Sequence, residues 1–194
     1  MIESFLEVFS VLNLQIVLLS ALLFFIGYVF APTAYFKEIK WLTAYPFFII
    51  KIMDEYLKKD WNPVLVFATI LFLNSFSLFL NLLSGWVVVL PYLVIMYMGL
   101  NVGIVMYHTL EGKFYYVSLI NPVAMLELPA SWISVAMAIQ FSLARLSDGD
   151  LFGLISFQEY MGYFLQTIIP ILVFAALIET VLIVVVRKRE SEED

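Results

Sequence analysis

The chain has 194 residues, of which 63% are apolar, 17% aromatic and only 13% charged, with a mean hydropathy of +0.99. Soluble domains carry about 45–50% apolar and about 25% charged residues, so the solvent for most of this chain is lipid. Net charge is −6, four of the acids form the tail Glu190, Glu192, Glu193 and Asp194, and no basic stripe of the kind nucleic acid requires is present. Cysteine is absent, which excludes disulfides, thiolate metal sites and cysteine catalysis.

The N-terminus carries Glu3 and Glu7 ahead of a long apolar run, which is not the pattern of a cleavable signal peptide. A spanning helix needs roughly 20 mostly apolar residues. The first expected span covers residues 12–31, inside an uncharged interval between Glu7 and Lys37, and ends at Pro32. Residues 37–60 then mix Trp41, Tyr45 and Tyr56 with five lysines around a short apolar run, 46–50. That run is too short to cross, so the segment is expected on the cytoplasmic side with helix lying at the interface.

From Trp61 to Thr109 only His108 can carry charge. These 49 residues would make a helix of roughly 73 Å, more than twice the ~30 Å hydrocarbon core. The chain must fold back once, and Ser84-Gly85 is the best turn signal, giving spans at 64–83 and 87–107 with Pro91 early in the second. In the next region Pro122, Glu127 and Pro129 are incompatible with one uniform helix. A proline-broken or re-entrant piece is expected there, followed by a fourth span at 130–146. Ser147-Asp148-Gly149-Asp150 reads as a turn, 151–160 as an interfacial segment, and 164–186 as a fifth span containing Pro170 and Glu179. The acidic tail occupies 187–194.

The fold class is therefore all-α, a polytopic bundle of about five spans in a single membrane domain. With the N-terminus outside, the cytoplasmic segments 32–63, 108–116 and 187–194 hold nine of the ten basic residues, and only Arg145 falls outside. The excess of Lys and Arg inside is the expected orientation signal for a multi-pass protein of the cell membrane with its C-terminus in the cytoplasm.

Glu127 is the first candidate functional residue, because an acid at membrane depth should face protein or water. It fits a proton or cation site or a ligand-orienting acid; it equally fits a structural acid capping a helix that starts near Pro129. Glu179 either snorkels or pairs with a polar group on another helix. Asn74, Asn81 and Asn101, with Ser75 and Ser77, place hydrogen-bonding groups within spans, where they more often join helices than bind substrate. Gly99-x-x-x-Gly103 lets helices approach closely, within the chain or between copies. One histidine and no cysteine make no metal constellation, no cofactor is implied, and no phosphate loop, serine elbow or zinc-protease pattern appears.

The stretch Pro122-Val123-Ala124-Met125-Leu126-Glu127-Leu128-Pro129-Ala130 resembles the Pro-His-Gly-x-x-Glu-Leu-Pro-Ala motif of the stage II sporulation protein M family. Asn74, the turn at Gly85, and Gly99 with Gly103 follow the same arrangement, so the resemblance covers about residues 62–146. Pro122, Glu127, Pro129 and Ala130 carry over. The family's histidine is Val123 here, its glycine is Ala124, and the asparagine often preceding Gly99 is Met98, so a relay between that histidine and the glutamate cannot operate. The resemblance implies a membrane-embedded scaffold that gathers cell-wall-degrading partners without being the hydrolase, and it does not imply sporulation.

Three readings follow. The first is a non-catalytic scaffold or subunit of a membrane complex, docking other membrane proteins or a second copy through the aromatic segments 37–60 and 151–160. The alternative is a small transporter or permease subunit with Glu127 at a broken-helix site. The third, an intramembrane enzyme, needs acids converging on a wet cavity, and Glu127 with Glu179 is the available pair. The first is the expectation, and with it that the chain is not an enzyme.

Overall fold

The computed structural model describes residues 10–58, 62–147 and 156–193. Helices α1 (Leu14–Phe36), α2 (Lys40–Lys58), α3 (Pro63–Leu83), α4 (Leu90–Thr109) and α5 (Ala124–Leu146) are followed by α6 (Phe157–Tyr163), which continues through a π-helical stretch at Phe164–Ile168 into α7 (Ile169–Glu193). No strand occurs among the described residues. Five helices are long and apolar enough to cross a membrane: Leu14–Phe36, Pro63–Trp86, Leu90–Thr109, Ala124–Leu146 and Phe157–Lys188. All five expected spans are therefore present.

Helix starts follow their capping residues. The side chains of Asn13 and Asn62 accept from the backbone of Gln15 and Val64, and Pro63 sits in the first turn of α3. Ser156 and Glu159 form a capping box that opens α6, so the last span begins at Phe157 rather than at residue 164. The turn at 147–150 and the segment 151–155 lie outside the described residues, apart from Ser147.

α5 is the central pillar. In it 67% of the apolar stretch is buried, against 33% or less in the other four spans. It sends Val135 and Ile139 into a core shared with α1 and α4 (Phe24, Ile95, Ile104), and Ile133, Met137 and Phe141 into a second core with α3 and the last span (Leu78, Leu82, Phe164, Ile168). Two faces of one helix thus hold two helix pairs together. Ser134 Oγ donates to the Leu78 carbonyl at 2.7 Å, and a Cβ on Gly85 would stand 2.6 Å from the Ala138 carbonyl oxygen. The α3–α4 turn therefore needs glycine because α5 passes against it.

The broadest helix contact is α1 against α4. Along α1, Ser20, Phe24, Gly27, Ala31 and Ala34 are buried at alternating spacings of four and three, the seam of left-handed packing. A Cβ on Gly27 would collide with the Met96 carbonyl, and one on Gly99 with the Phe24 carbonyl. Gly103 lies against Ala31 and Tyr28. Gly99 and Gly103 thus serve a contact within the chain.

α2 does not span. Its buried positions Thr43, Pro46 and Ile50 share one face against α4, and Trp41, Tyr45 and Phe48 stay exposed. The irregular region before the fourth span covers residues 110–123, with Glu111, Gly112 and Phe114 at positive φ and one 3₁₀ turn at Tyr115–Val117. It is shorter than the sequence implies, because α5 begins at Ala124 rather than near residue 130. Asn121 Oδ1 accepts from the Ala124 N–H at 2.9 Å and starts the helix. Pro122 stays in the turn, while Pro129 is tolerated six residues into α5 at the loss of one backbone bond.

Candidate functional site

Asn74 lies midway along α3 and Glu127 in the first turn of α5, both half-buried. α3 and α5 run parallel, so residues 74 and 127 meet just as 78 and 134 do one to two turns further on. Asn74 Nδ2 donates to Glu127 Oε1 at 2.5 Å. Glu179, half-buried on α7, interacts electrostatically with Glu127, and α7 packs against both α3 and α5. Asn74 and Glu127 are thereby joined across two spans, and Glu179 on a third helix lies close enough to act on Glu127 electrostatically.

Glu127 does not cap a helix starting at Pro129. Its carboxyl projects sideways to Asn74, while its carbonyl accepts from Ser131 Oγ at 2.7 Å. Its place in the first turn of α5 remains favourable for a negative group, since the N-terminal N–H groups carry partial positive charge. Pro122 is exposed and Pro129 half-buried; both shape the entry to α5 rather than lining a cavity. Asn101 on α4 is not joined to the cluster by any hydrogen bond, and its Oδ1 has no partner among the described residues. Asn81 Nδ2 contacts Met98 Sδ at 3.7 Å and so links α3 to α4.

A second polar brace escapes sequence reasoning. Gln140 is buried within α5; its Oε1 accepts from the Asn13 N–H at 2.9 Å, and its Nε2 donates to the Val11 carbonyl at 3.1 Å. One amide thus satisfies backbone groups at the start of α1. The available signal was a lone glutamine in an otherwise apolar stretch of the fourth span.

The third cluster is aromatic. Tyr28 on α1 and Tyr115 in the 110–123 segment stack with centroids 4.5 Å apart at 4°. Tyr28 OH donates to the Tyr115 carbonyl at 2.7 Å, and Tyr115 OH donates back to the Tyr28 carbonyl. Ser118 Oγ lies 2.9 Å from the Tyr28 hydroxyl. Tyr107 and Tyr35 extend the cluster toward the ends of α4 and α1, where Tyr35 OH and His108 Nδ1 are 3.0 Å apart. Burial pushes the Tyr115 hydroxyl well above the usual phenol range.

Among the described residues no group of three His, Cys, Asp or Glu side chains is placed to hold a metal. Two cavities, of about 350 Å³ and about 150 Å³, are lined by residues at the ends of the spans, and neither lining includes Glu127 or Glu179. Glu127 spends its carboxyl on the Asn74 amide, with Glu179 within electrostatic range.

A family model described as stage II sporulation protein M matches residues 16–182, and the chain belongs to that family. The match extends the likeness from the motif region to all five spans. No curated protein and no solved structure matches the chain.

Proposed function

We propose that this member of the stage II sporulation protein M family is a non-catalytic scaffold or subunit of a membrane complex. The observation that carries the reading is where the polar groups of the spans are spent. Asn74 holds Glu127, Ser134 holds the α3 backbone, and Gln140 holds the start of α1. These contacts brace helix to helix, as polar groups in lipid commonly do.

The bundle so braced offers aromatic surface at one membrane edge. On α2, Trp41 is 76% exposed and Phe48 59%; in the 110–123 segment, Phe114 is 80% exposed and Tyr116 74%. Side chains of this kind suit docking of another membrane protein or a second copy at headgroup level. That edge faces the cytoplasm in the orientation with the N-terminus outside and the C-terminus inside, which the basic residues favour: Lys37, Lys40 and Lys113 lie at it. Arg145 lies at the other end, its guanidinium 4.7 Å over Trp86. Replacing Trp41, Phe48, Phe114 and Tyr116 together by serine tests the reading. Native associations recovered after mild cross-linking should be lost while the bundle stays folded; unchanged associations would remove its main support.

A second reading, a small transporter or permease subunit of the cell membrane, is favoured by one observation. Glu127, held by the Asn74 amide, has a second acid, Glu179, on another helix within electrostatic range, and two acids so placed at membrane depth could serve a proton or cation. Glu127→Gln would abolish a coupled flux in proteoliposomes under this reading, and unchanged flux would take Glu127 out of any such mechanism.

A further inference from the structure

The larger cavity, about 350 Å³, opens where α1 turns into α2 and is lined by Tyr35, Phe36, Glu38, Lys40, Thr43 and Phe47. Its volume falls in the range of small-ligand sites, about 300–1,000 Å³. The walls are fixed by packing rather than left loose. The rings of Tyr35 and Phe47 stand 5.9 Å apart, Phe47 meets His108 edge-on at 5.7 Å, and Tyr35 is tethered to His108 by its hydroxyl. Tyr35 is in the last turn of α1 and His108 in the last turn of α4, so the cleft sits at the depth where two spans end. Exposed Trp41 and Phe48 beside it are the side chains that settle at headgroup level.

Two charges of opposite sign border this aromatic cleft. Glu38 and Lys40 are both exposed, and neither forms an ion pair among the described residues. Lys40 also opens α2, whose N-terminal partial charge adds to its ammonium. A cleft with aromatic walls, one carboxylate and one ammonium matches a ligand that is itself a dipole. We propose that it seats the zwitterionic headgroup of an ethanolamine phospholipid from the adjacent leaflet. The lipid ammonium lies against Glu38 and the faces of Tyr35 and Phe47, combining charge-assisted hydrogen bonds with cation–π attraction. The phosphate lies against Lys40, and the acyl chains run down the bundle. This binding depends on membrane embedding alone and stands whether the protein is a scaffold or a transporter.

Native mass spectrometry of the purified protein, equilibrated with equal amounts of phosphatidylethanolamine and phosphatidylglycerol, tests the site. The protein is expected to retain one phosphatidylethanolamine in preference, and Glu38→Gln and Lys40→Gln are each expected to lower that retention about tenfold. Arg145→Gln, at the other end of the bundle, should leave it unchanged. Equal or preferred retention of phosphatidylglycerol would overturn the proposal, since Lys40 alone would then explain the attraction. A preference that survives both substitutions would overturn it too, by placing the lipid elsewhere.

Discussion

Asn74 and Glu127, 53 residues apart in sequence, share a 2.5 Å hydrogen bond across the α3–α5 interface. Bonds of this kind between membrane helices contribute about 0.6 kcal/mol on average and up to about 1.7. A double-mutant cycle on Asn74→Ala and Glu127→Ala, read by unfolding in mild detergent, should return a coupling of about that size. Glu127→Gln keeps an acceptor for the Asn74 amide and should stay within about 1 kcal/mol of the native chain. Glu127→Leu, which leaves the amide unpaired, should fall below both.

The α1–α4 seam is a steric prediction. A Cβ at Gly99 would run into the Phe24 backbone and one at Gly27 into that of Met96, so relief requires the helices to separate. Gly27→Ala and Gly99→Ala should each cost about 2–3 kcal/mol or more. Gly162→Ala is the control: its nearest neighbour would be 4.0 Å away, and its melting temperature should not fall.

The paired tyrosines predict a response to pH. The folded state raises the Tyr115 hydroxyl above its ordinary value, so it binds the proton more tightly than the unfolded chain does. The associated stability is complete below the unfolded phenol pKa of about 10 and is lost as pH rises above it. The Tyr115 contribution to the melting temperature should hold up to about pH 9 and fall as pH rises above about 10, and Tyr115→Phe should flatten that fall. At neutral pH the same substitution should cost about 1 kcal/mol, the worth of one hydrogen bond.

Orientation is directly testable because the chain contains no cysteine. Single cysteines at Lys113 and Ser147 would stand at opposite ends of the bundle. With the N-terminus outside, a membrane-impermeant maleimide should label Ser147→Cys in intact cells and Lys113→Cys only after permeabilisation. The opposite pattern would invert the topology.

Much of this architecture could be read from residues alone. Long apolar intervals locate most of the spans: 8–36 and 61–109 contain no Asp, Glu, Lys or Arg, and 164–186 contains only Glu179, lengths that suit helix crossing a bilayer. Asn74 and Glu127 were legible as membrane polar groups that need partners, although their pairing was not, because it depends on the parallel register of two helices. Two boundaries were misplaced. Pro129 looked like a helix start, but Asn121 starts α5 earlier, and Pro129 lies near enough to the beginning to be absorbed. Ser156 and Glu159 spell a capping box that moves the last helix to Phe157, a signal easily lost against the stronger apolar run that follows. The aromatic exposure at Phe114 and Tyr116 depends on how the 110–123 segment tucks Tyr115 under Tyr28, a tertiary fact with no local pattern.

The scaffold reading is tested most directly by purifying the tagged, full-length protein from its native membrane after mild cross-linking and quantifying what accompanies it. A partner present in stoichiometric amount, cross-linked through α2 or the 110–123 segment, is the predicted result. A protein that purifies without any stoichiometric partner or second copy, yet supports a cation or proton flux that Glu127→Gln abolishes, would contradict it.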